Sequence, residues 1–232
     1  MSLAQFDWTP LFLSLQLASV TTLILLLIGV PIAYFLAYSR NRFKPVFEAL
    51  VSMPLVLPPS VLGFYLLLAL SPQHGVGAWV FAQFDVRLVF SFAGIVIGSV
   101  IFSLPFMVQP LQAGFQQLPV SIKEAAHTLG LGRMQTLLRV LLPNMKSAML
   151  SALVLSFAHT IGEFGVVLMI GGNLPGVTKV ASIAIYDEVE GLNFAAAHFY
   201  SAVLVLISFV VLLLVYIGRR RFAQVPETRR GN

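Results

Sequence analysis

Five stretches of this chain, residues 11–39, 46–71, 90–112, 147–171 and 194–218, each run for more than 20 residues with at most one charged side chain. A helix crosses the hydrocarbon core of a bilayer with about 20 such residues. In that solvent every backbone N–H and C=O must be bonded internally, so the expected fold is all-α and integral to a membrane, with about five spans. Composition agrees: 58% of the 232 residues are apolar and 10% charged, against about 25% charged in a typical soluble domain. The mean hydropathy is +0.92. The first stretch is longer than one crossing needs, about 43 Å at helical rise against a core of about 30 Å. Tilt, a kink at Pro31 or protrusion into water has to absorb the excess.

Cysteine is absent, which removes disulfides, thiolate metal sites and cysteine nucleophiles. The first ten residues contain Asp7 and no base, unlike the positive start of a cleavable signal, so the first stretch is expected to remain as a span. The positive net charge of +5 reports orientation in a membrane protein rather than a nucleic-acid partner. Arg40, Arg42 and Lys44 follow the first span. Lys123, Arg133, Arg139 and Lys146 follow the third, and Arg219, Arg220, Arg221, Arg229 and Arg230 follow the fifth. These three regions share one side and hold 12 of the 14 bases. Arg87 and Lys179 lie opposite with Asp7, Asp85, Asp187, Glu188 and Glu190. The positive-inside rule then places the N-terminus outside and the C-terminus in the cytoplasm. No internal repeat or linker is visible, so residues 1–232 form one transmembrane domain. The segment 173–193 is either a plain external loop or carries a short helix over 177–189 that dips toward the membrane.

Between spans 3 and 4 lies a cytoplasmic segment, 119–146. Ser121 and Glu124 have capping-box spacing, which starts a helix there. Gly130 can adopt the left-handed conformation that closes it. A second short helix over 134–142 gathers Leu137, Leu138, Leu141 and Leu142 on one side, with Pro143 ending it. On physical grounds this could be an amphipathic connector resting on headgroups. The spacing says more. Glu124-Ala125-Ala126, then Gly130 four positions on, then Val140 and Leu142-Pro143, resembles the EAA loop of ABC importer permeases, Val140 standing where isoleucine is commonest. What the resemblance implies is a type I importer fold in which Glu124, Ala125, Ala126, His127, Leu129 and Gly130, with Leu142 and Pro143, couple to a separate ATPase. None of the four lysines, which follow Phe43, Ile122, Met145 and Thr178, has the Gly-Lys-Ser/Thr context that holds phosphates. The chain is therefore not expected to be an enzyme or to bind a cofactor; ATP and Mg would be used by the partner.

Span 2 holds Pro54, Pro58 and Pro59 followed by Ser60, and broken backbone at membrane depth persists only in protein contact or beside a water-filled path. A kinked packing helix and a helix lining a gated path both fit. Span 4 holds Thr160, Gly162, Glu163, Phe164 and Gly165. A carboxylate within a span costs about 3 kcal/mol on insertion scales and is a functional candidate for that reason. Glu163 is an improbable ligand for a dianion because like charges repel strongly at low dielectric. It is expected instead to accept backbone or hydroxyl hydrogen bonds that hold a bend at Gly162 and Gly165, shaping a gate. His159 reads as a hydrogen-bonding group of the bundle, and no second His or Cys is spaced to complete a metal site.

Gly-Glu-Phe-Gly late in the penultimate span, with Pro-Leu-Val-Leu-Pro-Pro in span 2 and the run 171–178 after span 4, is similar to the molybdate branch of the oxyanion permeases. That likeness implies import of molybdate through the bacterial inner membrane, with sulfate/thiosulfate or tungstate as alternative cargo. It also implies a homodimer in the lipid, two cytoplasmic ATP-binding subunits and a periplasmic or extracellular oxyanion-binding protein. An ion-coupled secondary transporter is a rival, but it would show inverted repeats. A purely structural membrane protein leaves the EAA spacing unexplained, and no nucleophile, base and metal constellation supports an enzyme.

Overall fold

The computed structural model describes residues 6–223, and among these the regular structure is helical. Arg229 and Arg230, counted above for orientation, lie outside the described residues, as do the side chains of Arg219, Arg220 and Arg221. Four stretches are long and apolar enough to cross a membrane: Thr9–Tyr38, Pro59–Phe84, Phe92–Gln117 and Phe194–Leu214. Arg133–Asn144 with Lys146–Ile161 makes up to a fifth, the two pieces meeting at 85°.

Helix α1 (Thr9–Tyr38) takes Pro10 in its first turn, where a missing N–H costs nothing, and runs through Pro31 without ending. It buries one stripe, including Leu11, Leu17, Ala18, Leu25, Ala33 and Leu36. α2 (Lys44–Ser52), a 3₁₀ turn (Met53–Leu55) and α3 (Pro59–Leu70) replace the single span expected over 46–71. The physical reason is the prolines: Pro54 lies inside the 3₁₀ turn, Pro58 caps α3 with extended backbone, and Pro59 occupies its first turn. A further helix, α4 (Gly75–Phe84), follows where no element was expected, and with α3 it makes up the crossing-length stretch Pro59–Phe84.

The central helix is α5 (Phe92–Gln117), started by the Ser91 hydroxyl accepting the Gly94 N–H at 3.1 Å. Lipid tails are as apolar as leucine, so packing within the bundle depends on close approach at small residues. A Cβ on Gly29 of α1 would stand 2.6 Å from Met107 Cγ, and one on Gly114 would stand 2.6 Å from Ala148 Cβ. Met107, Val108, Leu111 and Phe115 are correspondingly buried against α1 and α9 (Lys146–Ile161). The chain breaks at Gly162–Phe164 and resumes as α10 (Gly165–Gly171), so the fourth expected span is two helices.

Two contacts fix which ends belong together. Lys123 Nζ stands 4.1 Å from the Tyr38 ring centroid, placing the segment after α5 at the C-terminal end of α1. The Ala181 N–H donates to Ser14 Oγ at 2.8 Å, placing the 173–193 segment at the opposite end. That segment contains a helix, α11 (Ala181–Glu190), shorter than the 177–189 alternative at its start and packed through Ile183 and Ala184. Lys179 pairs with Asp187 at 2.5 Å, and the Asn193 carbonyl accepts the Ala197 N–H at the start of α12 (Phe194–Ala223). Outside the spans, the Thr9 hydroxyl, and with it the Thr9 N–H that donates to Asp7 Oδ1 at 2.9 Å, hold the Asp7 carboxyl below the usual carboxylate range.

Candidate functional site

The segment between α5 and α9 is two helical pieces around a glycine turn. α6 (Val120–Thr128) begins one residue before Ser121, because the Pro119 carbonyl already accepts the Ile122 N–H at 3.1 Å. Ser121 therefore lies in the first turn and the expected capping box is not formed. The C-terminal end is as expected: Gly130 has φ of +74°, and the Leu131 N–H bonds the Ala126 carbonyl at 3.1 Å, the bond that defines a Schellman closure.

α6 presents two faces. Ala126 is buried against the bundle, whereas Glu124, Ala125 and Leu129 are exposed, Leu129 at 79%. His127 lies on the same helix, its side chain outside the described residues. α7 (Arg133–Thr136) leads into a π turn (Leu137–Leu141) and α8 (Leu142–Asn144). Pro143 thus sits inside the last turn rather than ending the helix, which breaks at Met145. A proline ring crowds the carbonyl four residues back, here Arg139, and the wider π turn at that position relieves the crowding. Leu137 and Leu141 join the core around Phe115, while Leu138 is exposed, so the four leucines do not share one side.

The second region is the break between α9 and α10. Thr160 is buried and donates to the Ser156 carbonyl at 2.9 Å, with Ser103 Oγ 3.0 Å from its hydroxyl. His159 Nδ1 is 2.9 Å from Ser103 Oγ and its ring stacks on Phe106 at 4.0 Å, the bundle role expected of it. Glu163 is only 4% exposed, yet neither carboxyl oxygen has a hydrogen-bond partner. Ser99 lies near it without a bond of normal geometry, and its own hydroxyl is unpartnered. The expectation that the carboxylate holds the bend is therefore corrected. What holds it is the main chain: Ser182 Oγ, from α11, donates to the Glu163 carbonyl oxygen at 2.6 Å. Phe164 stacks beside Tyr186 of the same helix, ring centroids 5.2 Å apart. Ser182 and Tyr186 were not candidates in the sequence, since no local pattern ties them to residues about 20 positions earlier.

The two proline- and glycine-rich regions meet. A Cβ on Gly165 would stand 2.8 Å from Pro59 Cβ, and one on Gly63 would stand 2.8 Å from Met169 Cβ. α3 and α10 therefore touch at the points where both expected spans are broken. Met53, Val56, Ser60 and Tyr65 project from the free side of this pair, exposed. Thr160 meets Ser103, and Ser52 beside the Pro54 turn meets Gln109, both within the length of α5, whereas the coupling candidates follow its C-terminal end.

Residues 29–224 match the family model described as "Binding-protein-dependent transport system inner membrane component". The chain belongs to this family. The matched region includes α6, Gly130, the Pro54–Pro59 break and the Glu163 break, and leaves out the first two-thirds of α1. The "Molybdenum transport system permease protein ModB" of Azotobacter vinelandii is 46% identical over 220 residues, covering 95% of this chain and 97% of that protein. The "Sulfate transport system permease protein CysT" of Escherichia coli (strain K12) is 31% identical over 196 residues, covering 84% and 70%. In fold the chain matches a solved chain of the MetNI methionine ABC transporter, in an inward-facing conformation, with TM-score 0.73, 16% identity, and 95% and 99% coverage.

Gly165 permits the close contact of α10 with α3, since a Cβ there would stand 2.8 Å from Pro59 Cβ. Gly165→Val inserts a branched side chain where Pro59 stands, at an expected cost of about 1–3 kcal/mol from overpacking. The expected outcome is normal membrane insertion with at least severalfold lower uptake by the assembled transporter. Wild-type uptake in that variant would show that the α3–α10 contact is not needed for transport.

Proposed function

We propose that this chain is the membrane-spanning permease of an ATP-driven importer of molybdate. Two copies form the pathway, two ATPase subunits dock beneath α6, and a soluble binding protein delivers the anion from outside. The 46% identity to the Azotobacter vinelandii molybdenum permease, over nearly the whole of both chains, carries the cargo assignment. The sulfate permease at 31% identity keeps sulfate as the second reading. The exposed face of Glu124, Ala125 and Leu129 is the surface offered to the ATPase, and an exposed apolar leucine beside a carboxylate suits a protein groove better than water. The exposed apolar face of 53–65 is the surface offered to the second copy. The main-chain break at Glu163, tied to Ser182, shapes the gate from within the bundle, and the buried carboxylate does not touch the anion, because like charges repel strongly at low dielectric.

Uptake of labelled molybdate in cells carrying the whole system tests the cargo, with unlabelled tungstate and sulfate as competitors. Competition by sulfate equal to that by molybdate would move the assignment to the second reading. Orientation in a bacterial inner membrane is tested separately on the cysteine-free background. Gln73, Asn193, Asn41 and Gln135 are all exposed. Single cysteines at positions 73 and 193 are expected to react with an impermeant thiol reagent outside sealed cells, and those at 41 and 135 are not. Labelling at 135 would invert the topology and take the coupling face away from the ATPase.

A further inference from the structure

A cavity of about 400 Å³ lies at the C-terminal end of α1, lined by Tyr34, Phe35, Tyr38, Ser39, Lys123 and Arg133. Lys123 is half-buried and faces into the bundle over the rings of Tyr38 and Tyr34, 4.1 and 5.7 Å from their centroids. It points away from the exposed side of α6 that carries Glu124. The Tyr38 hydroxyl donates to the Phe115 carbonyl at 3.1 Å, which fixes the ring beneath the ammonium. Among the described residues the ion pairs are Lys44 with Glu48 and Lys179 with Asp187, so neither Lys123 nor Arg133 has a carboxylate partner. Arg40 and Arg42, exposed in the turn after α1, add to the positive field. The cavity presents two cations and a tyrosine floor and lacks an anion.

A second cavity, of about 460 Å³, shares the Phe35 wall with the first. Its other walls are Pro31, Ile32 and Leu36 of α1 and Phe47 and Val51 of α2, all apolar. From Tyr38 to Pro31 is seven residues, about 10 Å along the helix toward the hydrocarbon. We propose that these two cavities form one binding site for an anionic phospholipid: the phosphodiester sits between Lys123 and Arg133, and an acyl chain lies in the groove between α1 and α2. Ammonium and guanidinium donors suit phosphate oxygens. A free phosphate or oxyanion would have no use for the apolar groove, and a side chain of the ATPase would approach from the other face of α6. The lipid would brace the inner face of α6 and so set the angle at which its outer face is presented. The inference concerns lipid rather than cargo and stands whichever oxyanion is carried.

The test uses the complete transporter in nanodiscs of mixed phosphatidylglycerol and phosphatidylcholine, with the retained lipid identified by native mass spectrometry. Phosphatidylglycerol is expected to be enriched over its bulk share. The enrichment is expected to fall roughly tenfold in the Lys123→Gln/Arg133→Gln double variant, from the loss of two bases at the membrane surface. It is expected to persist in Arg139→Gln, an exposed base that does not line the cavity. Arg133 is exposed, so Arg133→Gln alone preserves assembly and is expected to lower the enrichment by a smaller factor. Enrichment unchanged in Arg133→Gln, or absent in the wild type, would overturn the proposal. Displacement of the lipid by inorganic phosphate or molybdate would overturn it in favour of a free-anion site. A photoreactive residue at Ser39 is expected to crosslink lipid, and capture of the ATPase or a second copy instead would show that protein fills the cavity.

Discussion

Gly130→Val is expected to insert into the membrane normally and to lose both ATPase association and uptake, whereas Gly130→Asn keeps most of each. The reason is local. Gly130 has φ of +74°, and a Cβ there would meet nothing within 4 Å, so the cost of a side chain is backbone conformation alone and not a clash with neighbours. A residue other than glycine or asparagine pays about 1–2 kcal/mol in the left-handed region, a factor of roughly 5–30 in the population of the closed turn, and a β-branched residue more. With the turn opened, Leu131 loses its bond to the Ala126 carbonyl and α6 no longer meets its partner at a fixed angle. Alanine is expected between the two. Uptake and copurification of the ATPase, measured across Gly, Asn, Ala and Val, check the order. Equal function in all four would mean that the segment is a surface connector and nothing more.

Removing the Glu163 carboxylate is expected to leave the protein as stable as before or more stable, and removing the Ser182 hydroxyl to weaken it. Both Glu163 carboxyl oxygens are buried and unpartnered, and an unsatisfied buried polar group costs about 1–3 kcal/mol, so an apolar side chain of similar size is expected to be neutral or stabilising. The Glu163 carbonyl is different, because Ser182 supplies its donor across the break at 2.6 Å. Ser182→Ala strands that carbonyl at about 1–3 kcal/mol. Thermal unfolding of the purified assembly is therefore expected to place Glu163→Met at or above wild type and Ser182→Ala below it. Neither Glu163 variant is expected to change the oxyanion preferred. If Glu163→Met melts well below Ser182→Ala, donors hold the carboxylate and the main-chain account of the bend is wrong. If it changes cargo preference with coupling intact, Glu163 is a selectivity residue.

The long helices overlapping 11–39, 90–112 and 194–218 were legible because hydropathy over 20 or more residues reports a physical requirement of the bilayer, independent of partners. Gly130 was legible for a similar reason, as few residues other than glycine accept its backbone angle. What sequence spacing missed was decided by neighbours within one turn or by distant contacts. Pro119 starts α6 a residue early and so takes the cap from Ser121. The π turn at Leu137–Leu141 lets the helix continue past Pro143 and turns Leu138 outward. α4 escaped notice because its ten residues are apolar without being long enough to span alone. The Ser182–Glu163 bond joins residues 19 positions apart through a tertiary contact that no pattern in either segment announces.

ATP-dependent uptake of labelled molybdate into sealed vesicles containing this chain, its ATPase and its binding protein is the most direct measurement. The expected result is accumulation that requires ATP and the binding protein, is competed by unlabelled molybdate more strongly than by sulfate, and is lost in Gly130→Val. Accumulation that continues without ATP, or that is driven by an imposed ion gradient alone, would contradict the assignment of this chain as the permease of an ATP-driven molybdate importer.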